Sequence, residues 1–191
     1  ENATHRLIML HGWGADADDL LPLGKAFVKD IGVSFEVCSL NAPEDHPEGI
    51  GRQWYGLFPP DWGSVSNSVD QLQSRLKILG AGKIPLKNSF LFGFSQGGAM
   101  ALSTGCELPL AGLIASSAYP HPEWNPSPKG PNILLTHGKK DETVPPHAAD
   151  KISTELASKD YFFELCWFDG GHEIPPHMFT KFQDFIKTNI K

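Results

Sequence analysis

Leu91-Phe92-Gly93-Phe94-Ser95-Gln96-Gly97-Gly98-Ala99 is the stretch on which the reading of this chain turns. It contains Gly-x-Ser-x-Gly, entered by an apolar, strand-like run at residues 89–92 and left by the helix formers Ala99, Met100, Ala101 and Leu102. A serine on such a strand-to-helix turn is held in a sharp, strained conformation with its oxygen exposed above the sheet edge. Gly93 and Gly97 suit that turn because side chains there would collide with the neighbouring strand or helix. The turn also places the Gln96 N–H at a helix N-terminus, where donors without intrahelical partners can meet a developing oxyanion. Ser95 is therefore the candidate nucleophile.

On either side the chain alternates strands and helices. Residues 6–10, apolar throughout after Arg6, read as a strand buried on both faces and end in His11-Gly12-Trp13-Gly14. Asp16 and Asp18 then offer N-caps to a helix with Leu20, Leu23, Phe27 and Ile31 at one-face spacing and Pro22 in its first turn. Residues 33–40 read as a second strand. Residues 41–63 are long and irregular, rich in Pro and Gly, and carry Trp54, Tyr55, Leu57, Phe58 and Trp62; long irregular loops are usually functional. Val69, Leu72, Leu76 and Leu79 mark an amphipathic helix that stops at Gly80-Ala81-Gly82. Further strands are expected at 110–115, 132–136 and 162–168, and further helices to about Cys106, over 147–157 and after Pro175-Pro176. There are no repeats and no linker, so residues 1–191 read as one α/β domain. Its central sheet should be mostly parallel, with helices on both faces.

In such sheets ligands bind at the carboxyl ends of the strands. His11-Gly12, Ser95, Asp141 and His172 each follow an expected strand, and the order Ser95, Asp141, His172 is that of an α/β-hydrolase. A serine hydroxyl needs a base, and histidine is the side chain suited to that task near neutral pH. His172 would take the proton, and Asp141 would orient the imidazole and stabilise its charged form. The loop after the first strand should supply a second oxyanion donor, by position the Trp13 N–H. The aromatic loop, through Trp54, Tyr55, Leu57 and Phe58, and the Trp13 ring are candidates for substrate contact. Glu142 competes with Asp141 as the orienting acid. His11 and His137 are expected to bond backbone at strand ends, and His121 and His147 to face solvent.

Four motifs together resemble the phospholipase/carboxylesterase family, which includes acyl-protein thioesterases and small bacterial carboxylesterases. They are His11-Gly12-Trp13-Gly14-Ala15-Asp16, Gly93-Phe94-Ser95-Gln96-Gly97-Gly98, the run from His137-Gly138-Lys139-Lys140-Asp141 to Pro145, and Gly171-His172-Glu173-Ile174-Pro175. The resemblance covers the chain from about residue 6 onward. It implies an α/β-hydrolase fold without a separate cap domain, needing no cofactor and cleaving carboxylic ester or thioester acyl bonds. It sets Ser95, Asp141 and His172 on the family's triad positions and Trp13 and Gln96 on its oxyanion-donor positions. Trp54-Tyr55 resembles the family's Trp-aromatic pair. Trp13 departs from the Leu usual in the thioesterase branch, and the segment from Leu57 to Trp62 is short.

Composition narrows the alternatives. A net charge of −6 with no Lys/Arg cluster excludes a nucleic-acid footprint. No apolar run approaches the roughly 18 residues of a membrane span, so no stable membrane insertion is expected. Three widely spaced cysteines, Cys38, Cys106 and Cys166, read as buried free thiols of a reducing, cytoplasmic compartment. Exposed aromatics are compatible with a homodimer covering the site. Residues 12–17 also fit the dinucleotide fingerprint Gly-x-Gly-x-x-Ala, followed by Glu36, which keeps an oxidoreductase open, although Trp13 between the glycines would crowd a pyrophosphate. His172-Glu173-Ile174-Pro175-Pro176-His177 is one residue too long for a zincin motif and carries prolines, so no metal is expected. A hydrolase fold serving only as a binding module is the non-enzymatic alternative.

Overall fold

The computed structural model describes residues 2–190. In chain order the elements are β1 His5–Leu10, α1 Ala17–Phe27, β2 Phe35–Leu40, the short β3 Glu44–Asp45 and β4 Arg52–Gln53, and α2 Val65–Gly80. They continue with β5 Ser89–Phe94, α3 Gln96–Gly105, β6 Gly112–Ser116, β7 Ile133–Gly138, α4 His147–Ser158, β8 Phe163–Phe168 and α5 Phe179–Asn189. Six strands form one parallel sheet in the order β2–β1–β5–β6–β7–β8, and β3 pairs with β4 in a separate antiparallel hairpin.

The sheet is covered on both faces, which is why its inner strands carry unbroken apolar runs instead of alternation. Leu7 and Met9 of β1 face the layer of α1 and α5, packing with Phe27, Phe92, Phe182 and Ile186. Ile8 and Leu10 face the opposite layer, with Leu72 and Leu76 of α2 and Met100 of α3. A third cluster seats Ile152 and Leu156 of α4 against Leu113 and Leu135. Strand order reverses direction between β1 and β5, and ligands bind above such a switch point. Leu10 stands opposite Gly93, and Gly93 opposite Ala115. The segments leaving β1, β5 and β6 therefore emerge side by side.

Several boundaries differ from the sequence expectation. The helix expected from Val69 begins at Val65, because residues 62–64 form a 3₁₀ turn that runs directly into it. The serine-rich entry carries no apolar periodicity to reveal this, although Val65 and Ser68 continue the buried stripe. In α1, Asp16 is the N-cap of a complete capping box, which puts Pro22 in the second turn, not the first. Pro22 is tolerated there on the exposed face. Ile31 reaches the core from beyond the end of α1. The segment 41–63 is less irregular than expected, since it holds the β3–β4 hairpin. Of the three free cysteines only Cys106 is buried; Cys38 and Cys166 are partly exposed.

Candidate active site

Ser95 joins β5 to α3 at φ 54° and ψ −120°, a left-handed conformation that a non-glycine residue holds only under constraint. The constraint is visible in the packing. A Cβ on Gly97 would run into the carbonyl oxygens of Leu10 and His11, and one on Gly93 into the Gly97 carbonyl. The two glycines thus allow β1, β5 and the first turn of α3 to approach closely, while the Ser95 N–H is held by the Ser116 carbonyl at 3.0 Å.

Ser95 Oγ lies 2.9 Å from His172 Nε2, and His172 Nδ1 lies 2.8 Å from Asp141 Oδ2. An ionised carboxylate only accepts, so the imidazole proton sits on Nδ1 and Nε2 is free to accept from the serine hydroxyl. Asp141 is wholly buried at its side chain. Its Oδ1 accepts from the backbone N–H groups of Thr143 at 3.0 Å and Val144 at 2.8 Å. These bonds offset the cost of burying the carboxylate and fix its orientation. Glu142 points to solvent. His137 is buried, bonds the Val144 carbonyl at 2.8 Å and stands 3.5 Å from Asp141 Oδ2. His11 is buried likewise: its Nδ1 donates to the Gly12 carbonyl at 2.8 Å and its Nε2 accepts from the Ala42 N–H at 3.1 Å. Burial lowers its pKa below the ordinary histidine value.

The loop after β1 lies against the serine, since a Cβ on Gly12 would come within 3.3 Å of Ser95 Cβ. Among the described residues, neither the Trp13 nor the Gln96 N–H has a backbone acceptor. That loop is clamped by the β3–β4 hairpin. Gly14 N–H donates to the Arg52 carbonyl and Arg52 N–H to the Ala15 carbonyl, both at 2.9 Å. The Trp13 indole N–H donates to Gln53 Oε1 at 2.9 Å, and His46 packs edge-to-face on the Trp13 ring. The Gln96 side chain accepts from the Trp54 N–H at 3.0 Å and donates to the Tyr55 carbonyl at 2.8 Å.

A cavity of about 970 Å³ opens over Ser95 and His172. Trp13, Leu57 and Phe58 line it, together with Leu20, Leu23, Trp62, Tyr119, His121, Val144 and Ile174. Phe58 is 73% exposed at the rim, edge-on to Trp13.

Two expected contact residues are elsewhere. Trp54 and Tyr55 are 1% and 0% exposed and do not line the cavity. Their polar tips are anchored inward, Trp54 Nε1 donating to the His11 carbonyl at 2.9 Å and Tyr55 Oη bonding His121 and Tyr119. Both pack in one cluster with Val65, Leu72 and Leu76 of α2, cover that an irregular sequence does not announce. His121, expected at the surface, is 5% exposed, bonded to Ser103 Oγ and Tyr55 Oη, and its pKa is pushed down to about 4 by burial. Tyr119 and His121 were legible as site residues from one signal only, their place just beyond the carboxyl end of β6.

The dinucleotide alternative does not survive the geometry. Carboxylates already occupy the N-terminus of α1, with Asp16 Oδ1 accepting from Asp18 N–H at 2.9 Å, and a phosphate would be repelled there. Glu36 lies at the amino end of β2, ion-paired with Arg6 at 2.7 Å, far from any strand-end ligand.

A parallel sheet with a serine elbow at its switch point is the architecture of an α/β-hydrolase. The chain belongs to the phospholipase/carboxylesterase family, which it matches over residues 1–190. It is 27% identical to acyl-protein thioesterase 1 of Eremothecium gossypii (strain ATCC 10895) over 149 residues, 73% of this chain. The match spans 63% of that relative's length. The crystal structure of esterase PE8 superposes with a TM-score of 0.88 at 28% identity, covering 99% of this chain and 94% of that one. Arabidopsis thaliana SOBER1 shares the fold, with a TM-score of 0.81 at 23% identity over 98% of this chain and 99% of the other. Among the described residues no helix is long and apolar enough to cross a membrane.

Proposed function

We propose that this protein is a serine hydrolase that cleaves carboxylic ester or thioester acyl bonds of small molecules through an acyl-enzyme. The observation that carries this is the unbroken hydrogen-bonded series Ser95–His172–Asp141, at 2.9 and 2.8 Å, on the floor of an apolar cavity in a fold of this family.

Ser95 Oγ attacks the acyl carbon as its proton passes to His172 Nε2. The carbonyl electrons move to oxygen, where the Trp13 and Gln96 N–H groups stabilise the charge. Collapse of the tetrahedral intermediate breaks the bond to the alcohol or thiol, and His172 returns the proton to that leaving group. A water molecule then gives a proton to His172 and attacks the ester of Ser95. Collapse releases the acid and restores the serine. Asp141 stays ionised throughout and holds the imidazole in the tautomer that both half-reactions need. No step calls for a cofactor.

Leu57, Phe58, Trp13 and Trp62 receive the hydrocarbon part of the substrate, as their place on the cavity wall supports. Free cysteines support a reducing, cytoplasmic setting. The exposed rings of Phe58 and Trp62 at the rim support association of two copies across the mouth, which sedimentation would detect. The test of the activity is initial rates on p-nitrophenyl esters of increasing chain length and on an acyl-thioester, for the parent and Ser95→Ala. A Ser95-dependent rate is expected on both classes. A folded parent no faster than Ser95→Ala on any of them would overturn the proposal.

A further inference from the structure

The cavity wall is mostly apolar, with Asp19, Thr143, His147, Lys151 and Glu173 as its polar exceptions beside the triad, and Tyr119 is the cavity end of a polar chain whose middle, Tyr55 and His121, is buried. Ser103 Oγ is 2.7 Å from His121 Nδ1, His121 Nε2 is 2.9 Å from Tyr55 Oη, and Tyr55 Oη is 2.6 Å from Tyr119 Oη. His121 is neutral at ordinary pH because burial disfavours its charged form. Each of the four groups then holds one proton, and three hydrogen bonds use three of them. The fourth is left at one end, on Ser103 or on Tyr119.

The Ser103 end has a stronger claim to a partner. Ser74 and Ser153, also within helices, donate to the carbonyl four residues back, at 2.9 Å each. Ser103, half-buried beside a smaller cavity, makes no such bond among the described residues, and its hydroxyl's protein partner there is His121 Nδ1. With Ser103 donating to Nδ1, Nε2–H donates to Tyr55 Oη and the Tyr55 hydroxyl donates to Tyr119 Oη. The Tyr119 proton is then free toward the cavity, and the chain behind it polarises that donor.

We infer that Tyr119 is a specificity-determining residue, whose hydroxyl selects substrates bearing an acceptor oxygen on the bound chain over plain hydrocarbon chains of equal length. This rests on the esterase reading for its substrates, but not for its test. The probes are matched p-nitrophenyl esters in which one CH₂ is replaced by oxygen: pentanoate against 3-methoxypropanoate, and hexanoate against 4-methoxybutanoate. Affinities are measured in the non-turnover Ser95→Ala background by tryptophan fluorescence, and kcat/KM in the Ser95-containing protein. An ether is intrinsically easier to leave in water, so the quantity read is the change in the ether-to-alkyl ratio on substitution.

Tyr119→Phe should lower that ratio about five- to tenfold in at least one pair, the loss of one neutral hydrogen bond. Ser103→Ala, which does not line this cavity, should lower the ratio part of the way by removing the proton that sets the direction of the chain. A purely structural role for either residue would weaken ether and alkyl esters alike. Equal ratios in parent and Tyr119→Phe for both pairs overturn the inference. Failure of turnover with a Tyr119-dependent affinity ratio would instead overturn the esterase reading and leave this one standing.

Discussion

Replacing Asp141 by Asn separates orientation from packing at this site. Asp141 Oδ1 is pinned by two backbone donors, Thr143 N–H at 3.0 Å and Val144 N–H at 2.8 Å. An Asn side chain keeps both bonds only with its carbonyl oxygen in that position, which forces its NH₂ group to the place of Oδ2, 2.8 Å from His172 Nδ1. Two donors cannot face each other there. The imidazole proton therefore moves to Nε2, so that Nδ1 accepts from the amide. Nε2–H then confronts Ser95 Oγ and can no longer take its proton. Every hydrogen bond of the resting state has a counterpart in the variant, so stability should change little. The chemistry should fall by about 10⁴ in kcat, as the same exchange does in serine proteases, or about 5.5 kcal/mol of transition-state stabilisation. The assay is kcat and kcat/KM on a p-nitrophenyl ester beside a thermal unfolding curve. Glu142→Gln, at an exposed neighbouring carboxylate, serves as the control and should stay within about twofold, since surface charges this exposed contribute little. An Asn variant retaining more than about a tenth of parental activity would refute the reasoning, as would an equal loss in Glu142→Gln.

His121 has an ordinary pKa of 6.5 and is pushed to about 4 in the folded protein by burial. Between those values the unfolded chain binds a proton that the folded one refuses, so stability is full above 6.5 and falls as the pH drops toward 4. At about 1.36 kcal/mol per unit, the parent should lose about 2 kcal/mol more than His121→Gln between pH 7 and 4.5 in urea titrations. An equal loss would place the buried proton elsewhere. Gly97→Ala would drive a methyl group into the Leu10 and His11 carbonyls, backbone that cannot yield as a flexible side chain does. It should cost roughly 3 kcal/mol or more, read as a lowered urea midpoint. Phe58→Ala strips the exposed rim beside Trp13 and should reduce kcat/KM several-fold on octanoate esters, at about 0.8 kcal/mol per methylene no longer covered. Acetate esters, too short to reach the rim, should hardly respond.

Much of the fold was legible because the inner strands of a doubly covered parallel sheet carry long apolar runs. Residues 7–10 are the plainest case. The elbow was legible for a different reason: its glycines are demanded by backbone clashes that no other residue relieves, so the motif carries its own geometry. Asp141 and His172 could be placed because functional residues in this architecture follow strands. What stayed hidden depends on contacts distant in sequence. Trp54 and Tyr55 look like loop aromatics, and only the anchoring of Trp54 Nε1 on the His11 carbonyl and Tyr55 Oη on His121 takes them out of the cavity and into the core. His121, in a Pro-rich loop, gives no local sign that Ser103 of α3 will meet it at 2.7 Å. The β3–β4 pairing was invisible as well, since two-residue strands such as Glu44–Asp45 are too short for any period to register.

That hairpin explains how a glycine-rich loop can be precise enough for catalysis. In Gly12-Trp13-Gly14 only Trp13 has a side chain to anchor, and glycine loses more backbone freedom on ordering than any other residue. An amide that stabilises a developing charge must be aimed before the charge appears, because aiming it during the reaction would add its reorganisation to the barrier. The ordering therefore has to be supplied from outside the loop. Arg52 brackets it through its carbonyl and N–H, Gln53 fixes the Trp13 indole, and Glu44 Oε2 holds Gln53 in turn at 3.0 Å. Arg52 is itself locked by its guanidinium to the Ala42 and Pro43 carbonyls and to Asp45. On the other side, the Gln96 side chain binds the backbone of Trp54 and Tyr55, so the residue proposed to offer the second amide is tied to the same segment. One stretch of chain, residues 44–55, thus bonds both residues proposed as oxyanion donors. It sets their relative position without a single side chain of its hairpin touching the reacting atoms.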